Sequence, residues 1–382
     1  MPQKRVEVPT ADGTTSGPTE EIGETTMTEP HLRWDWGTAY DLFVSLCVLH
    51  SPGDYGLRGQ WAAGVRARLP PAEREILEEA QLALLAVPLH WIHNLPEPKD
   101  AATALWVLRH TPPAERLAAL NFPPGAPTGL RDILRTATAG QAWDEAQKEA
   151  LRAEFRGHKG GDHRLPDERV AAMHKWWSQP AEFGERLLAA LQCYQDAFFA
   201  EEEKRIAPAL QAWLARARDL AGRLSLPDLV EELSQGLRLT GPPQVAEWVL
   251  APTYWGTPFV FWDETVSDRQ IWLFGARPAD ASLVPGEAVP DALLQAMKAC
   301  ADPTRLRILR ILSHEALIPA ELARRLRLRD QTVTHHLKIL RLAGLVQIGF
   351  TEGESAHREL HATRTEAVGA ACAALREFLE QE

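Results

Sequence analysis

Apolar residues recur at helical spacing over most of the chain. From Trp34 onward, Tyr40, Leu42, Phe43, Leu46, Cys47 and Leu49 mark a first helix that Ser51, Pro52 and Gly53 bring to a stop. The same period predicts helices over 57–68, 72–87, 99–109, 113–120, 130–138, 143–155 and 167–177. A long helix over 181–224, bent or broken at Pro208, and a short one over 226–234 follow. The texture then changes. Segments 245–250, 259–263 and 270–274 are short, aromatic and β-branched, and 264–269 is a polar turn, so at least one β-hairpin is expected. Residues 278–290 read as a linker containing proline and alanine.

The last quarter is the most legible. Helices are expected over 292–300, over 303–312 with Asp302 as cap and Pro303 in the first turn, and over 319–326. Arg327, Leu328 and Arg329 leave room only for a tight turn before the segment Asp330 to Val346. On that helix Val333, His336, Leu337 and Leu340 fall on one side, with His336 on its inner flank as a packed, hydrogen-bonded histidine. Gln331, His335, Lys338 and, toward the edges, Thr332 and Thr334 fall on the other. Two helices so joined make a helix-turn-helix, which places its second helix in a DNA major groove. Strands over 345–350 and 357–361 around a polar turn form a wing, and a helix over 365–379 closes the chain. Its stripe of Val368, Ala371, Cys372, Leu375, Phe378 and Leu379 needs a partner. The expected fold class is mainly α. A disordered tail (1–30) precedes a helical domain (31–240), a hairpin segment with linker (241–290) and a winged helix-turn-helix domain (291–382). Within the tail, the segment that Met27 begins looks more like a protein start than Met1 does.

Composition adds two points. The formal charge of -11 argues against a general nucleic-acid binder, yet residues 298–341 carry ten Lys or Arg against four acids, a net +6. Positive charge therefore collects where the helix-turn-helix sits. The four cysteines are widely spaced, which argues against a zinc knuckle or disulfide framework and for buried, reduced thiols. No apolar run approaches the roughly 20 residues of a membrane helix, and the N-terminus lacks the apolar stretch of a signal peptide. A cytoplasmic protein without membrane contact is the expectation.

Residues 294–380 resemble the ArsR family of winged-helix transcriptional regulators. The resemblance rests on Ala301 to Leu309 (ADPTRLRIL), Thr334 to Leu340 (THHLKIL) and Ala343 to Val346 (AGLV), in that order. It implies a homodimer joined through the first and last helices of this region, and a palindromic double-stranded operator. Many members bind metals through a thiolate pair on the helix before the turn, where this chain has Pro319-Ala320-Glu321-Leu322-Ala323. Others use Asp and His along the last helix, of which residues 365–382 contain none. Neither metal site is expected, and no cofactor. Arg329-Asp330 replaces the Ser-Gln common at the entry to the recognition helix, so operator sequence does not transfer. Gln331, Thr332, Thr334, His335 and Lys338, with Arg329, are the candidate DNA contacts. Arg358 in the second wing strand is a candidate for phosphate or minor groove, with a solvated surface arginine as its alternative.

The upstream region carries no motif of a known chemistry. His90 with His93, and His158 with Asp162 and His163, could each bind a metal in principle, but no completing ligand stands at a recognisable spacing. No phosphate-binding loop, nucleophile elbow or zinc-protease motif is present, so no enzyme is expected. All thirteen tryptophans precede the final domain. They form a large aromatic core, or some of them, with Tyr194, Phe198, Phe199 and Tyr254, line a pocket for a small apolar effector. Three readings stay open, of which the first two are a repressor gated by a non-metal effector and an effector-free module whose helical part is an interaction scaffold. An enzyme fused to a DNA-binding domain is the third.

Overall fold

The computed structural model describes residues 30–57, 59–126, 128–137, 140–159, 165–238, 245–263, 266–284, 289–351 and 358–380. The chain is mainly helical with a few strands. The first strand, β1 (His31–Trp34), leads into α1 (Thr38–His50) and a 3-10 turn, Pro52–Tyr55. There follow α2 (Gly59–Arg66), α3 (Pro71–Ala83), α4 (Leu89–His93), α5 (Ala101–His110), α6 (Pro113–Asn121), α7 (Gly129–Arg135), α8 (Glu145–Lys159), α9 (Asp167–Trp177) and α10 (Pro180–Tyr194). A π turn, Gln195–Phe199, joins α10 to α11 (Ala200–Ala221), and α12 (Leu226–Leu233) comes next. The expected long helix is thus present, but its irregularity lies at the π turn and Pro208 sits inside α11. The extra residue of the π turn lets adjacent Phe198 and Phe199 both face inward.

After α12 come β2 (Leu237–Arg238), β3 (Glu247–Thr253), β4 (Phe261–Trp262) and β5 (Arg269–Gly275). The sheet order is β1-β3-β5-β4, with β1 parallel to β3, β3 parallel to β5, and only β4 antiparallel to β5. The expected hairpin is therefore limited to β4 and β5. The longer strands are buried on both faces, as parallel strands covered by helices must be, and the N-terminal segment supplies the edge strand. Val249, Ala251, Ile271 and Leu273 join the same apolar core as α1, α5 and α10. The described part of 278–290 is packed rather than a free spacer. Leu283 is buried in that core, its N–H donates to Asp291 Oδ2 at 2.6 Å, and Tyr254 Oη donates to Ser282 O at 3.3 Å.

Two carboxylates tie α1 to the sheet. Asp35, at the end of β1, is buried and accepts from Lys99 Nζ at 2.7 Å, His93 Nδ1 at 2.6 Å and Tyr40 Oη at 2.8 Å. Asp41, in the first turn of α1, accepts from the Trp255 N–H at 2.8 Å, the Tyr254 N–H at 3.1 Å and Thr253 Oγ1 at 2.8 Å. Burial pushes its carboxyl up to about 6 against the pull of those donors. The expected aromatic pocket at Tyr194, Phe198, Phe199 and Tyr254 is filled. Trp255 stacks on Trp61 with centroids 5.3 Å apart and meets Phe198 edge-on at 5.8 Å, and Tyr194, Phe198, Phe199 and Tyr254 are all buried.

The C-terminal part consists of α13 (Asp291–Cys300), α14 (Pro303–Leu312), α15 (Pro319–Leu326), α16 (Asp330–Leu342), β6 (Val346–Thr351), β7 (Arg358–Thr363) and α17 (Thr365–Glu380). β6 pairs antiparallel with β7 as a wing should, and Leu317 bridges to His361 on the outer side of β7. The other edge of the wing is covered: β2, at the end of the helical part, adds to β6 in parallel. Cys372 on α17 is exposed and Cys47, Cys193 and Cys300 are partly covered, so the thiols are less buried than their spacing suggested, but all four are free. No described helix is long and apolar enough to cross a membrane.

Candidate nucleic-acid interface

Asp302 caps α14 by accepting from the Arg305 N–H at 2.9 Å, with Pro303 in the first turn. α15 ends at Arg327, which takes the left-handed conformation (φ 56) needed to reverse the chain within three residues. α16 then packs Val333, Leu337 and Leu340 on Leu322, Ala323 and Leu326 of α15 and on Ile308 and Leu312 of α14. Gly344, also left-handed (φ 67), closes α16 and turns the chain into the wing. The buried stripe orients the remaining faces.

Arg329, Gln331, Thr332, Thr334, His335 and Lys338 are all exposed along one side of the helix pair. Arg327 and Arg329, at the entry to α16, form no ion pair among the described residues. His336 is partly buried, as its flank position implies, but Nδ1 finds no hydrogen-bond partner among the described residues. Burial holds its pKa below the ordinary histidine value despite nearby Asp302. Arg358 opens β7 opposite Thr351; its side chain and the wing tip 352–357 lie outside the described residues.

Part of the basic surplus is engaged by neighbouring groups. Arg324 and Arg325 are neutralised by Glu321 and Glu315 beside them. Arg305 donates to the Ala299 and Lys298 carbonyls. Arg341 turns inward: only 8% exposed, it donates to the carbonyl oxygens of Gln235 at 2.5 Å and Ser234 at 2.9 Å, and burial pushes its pKa down to about 10. Arg364 adds a bond to Gln235 O at 3.0 Å. The sequence held a signal for this, because 341 continues the inward series 333, 337. Nothing in the local pattern pointed to Asp54. Its carboxylate, on the 3-10 turn of the helical part, pairs with Lys338 Nζ at 2.6 Å.

Elsewhere, His93 is engaged by Asp35, and the side chain of His158 as well as Asp162 and His163 lie outside the described residues. No group of three metal-ligating side chains occurs among the described residues.

A protein-family profile described as a helix-turn-helix domain matches residues 301–348, which span α14 to the start of β6. No curated protein matches the chain. The chain thus carries a helix-turn-helix domain, a DNA-binding unit of the kind used in transcription regulation.

Proposed function

We propose that the protein is a cytoplasmic transcriptional regulator of ArsR type, a homodimeric repressor that binds a palindromic operator and is released or engaged by a non-metal effector acting on the helical part. The observation that supports this most is the outward row Gln331, Thr332, Thr334, His335 and Lys338, flanked by Arg327 and Arg329 that form no ion pair among the described residues, on a helix whose opposite face buries Val333, Leu337 and Leu340. Glutamine, threonine and histidine offer donors and acceptors to base edges, and lysine offers charge to phosphate. Arg358 serves the wing's contact with the backbone. Dimerisation runs through α17 beside α13: α17 buries none of its residues, and Leu379 stands 73% exposed. No catalytic step is assigned to the chain.

The test is selection of bound DNA from random duplexes by the full-length protein, followed by variants. Gln331→Ala or His335→Ala is expected to weaken the selected site relative to random DNA by about 1 to 3 kcal/mol. Lys338→Ala is expected to weaken all duplexes alike and lower the salt slope by about one. A selected site bound equally well after both of the first two changes would sink the groove assignment.

A further inference from the structure

A cavity of ≈690 Å³ lies between the 85–91 segment, the end of α6, α8 and β4. Six aromatic rings line it: Tyr55, Trp91, Phe122, Phe155, Phe261 and Trp262. Its volume is that of a small-molecule site rather than a packing defect. The wall at Leu84 and Leu85 belongs to no helix and is held by side chains. The Leu85 N–H donates to Asn121 Oδ1 at 2.7 Å, and Arg169 Nη2 donates to Leu84 O at 2.7 Å and Leu85 O at 3.1 Å. Leu85 to Pro88 also border a second, mostly apolar cavity of ≈180 Å³. Those bonds keep the backbone satisfied without filling the space.

The charge of the wall restricts what fits. Among the described residues no Lys or Arg lines the larger cavity, Asp263 is its one carboxylate and His90 its one imidazole. Among the described lining residues a ligand acid would be desolvated with no lysine or arginine and only the His90 imidazole to meet it, whereas a cation gains from aromatic faces and a neutral ring loses nothing.

The cavity also touches the machinery of the DNA-reading helix. Tyr55, edge-on to Phe259 at 5.5 Å, is the last residue of the 3-10 turn whose Asp54 holds Lys338. The following Gly56 accepts from Gln295 Nε2 of α13 at 2.8 Å and is left-handed (φ 76). A Cβ on Gly56 would meet that Gln295 side chain at 2.4 Å, so the turn is seated tightly on α13. Displacing the Tyr55 ring therefore shifts Asp54 against Lys338. We infer that this cavity is the effector site, that it takes an uncharged or positively charged aromatic compound, and that Asp54 passes occupancy to α16. This rests on the effector-gated reading above.

Three probes with one ring system and different charge test it by calorimetry on the full chain: 2-naphthylmethylamine, 2-naphthalenemethanol and 2-naphthoate. The amine and the alcohol bind about tenfold tighter than the acid or better, and Trp262→Ala, a change at a half-exposed ring, weakens both by about tenfold. Saturating amine changes the affinity for a random duplex by about fivefold or more in the parent and not in Asp54→Asn, which still binds the amine. If no probe binds, if all three bind alike, or if Trp262→Ala has no effect, the cavity assignment is overturned and effector gating would have to act elsewhere. If the amine binds but DNA affinity in the parent does not move, both the coupling and the effector-gated reading fall.

Discussion

Asp35→Ala is expected to lower folding stability by about 3 to 5 kcal/mol, the range for breaking a buried ion pair from one side. Asp35 and Lys99 are both nearly inaccessible, at 7% and 8% exposure, so neither charge is hydrated in the folded chain. Among the described residues, removing the carboxylate leaves the Lys99 ammonium with only Glu97, a largely exposed residue 4.0 Å away, and leaves His93 Nδ1 and Tyr40 Oη without their acceptor. The double variant Asp35→Ala/Lys99→Met is expected to recover at least half of the loss, because the uncompensated charge goes with the lysine. Urea unfolding of the two variants and the parent measures this; a double variant no more stable than the single one would mean that the charge is not the cause.

The same site gives a pH signature. Burial pushes the Asp35 carboxyl up, but hydrogen bonds from His93 and Lys99, the Lys99 charge and Tyr40 outweigh it and hold it below the ordinary 3.8. A depressed acid contributes stability that is complete above its unfolded pKa and is lost as pH falls through the folded one. The stability difference between parent and Asp35→Ala should therefore shrink below about pH 4. Asp41 acts in the opposite sense. With its carboxyl raised to about 6, the folded state holds that proton more tightly, and stability falls as pH rises from 3.8 to about 6. Both variants keep Asp41, so the difference between curves isolates Asp35.

Helix existence was legible because each amphipathic stretch carries its own period, and the wing and helix-turn-helix were legible because spacing and turn residues are local. Pairing partners were not. β1, β3 and β5 come from segments more than 200 residues apart at the extremes, and no local pattern states that His31 lies beside Glu247 or that Glu247 lies beside Arg269. The same limit hid the packing of Leu283 in a segment whose prolines read as a spacer, and the addition of β2 to the wing. At the candidate interface a face is a local property, and the residues that the helical period places outward are exposed. What each charge meets is a tertiary property, so Lys338 against Asp54 had no signal in the chain.

Arg341 shows the difference most sharply, since it and Lys338 counted equally toward the basic segment and sit three residues apart. Arg341→Met is expected to cost about 2 to 3 kcal/mol of stability while leaving the affinity of the folded protein for random duplex within about twofold. Ser234 O loses its side-chain donor, whereas Gln235 O keeps Arg364, so the cost stays below that of a stranded charge. Lys338→Ala should do the reverse, because an exposed ion pair adds little to stability and a phosphate contact adds to affinity. Thermal unfolding and duplex titrations at several salt concentrations separate the two. If Arg341→Met instead melted like the parent and lost affinity and salt slope as Lys338→Ala does, its guanidinium would be a phosphate ligand, and the bonds that join α16 to the end of α12 would have to open when DNA binds.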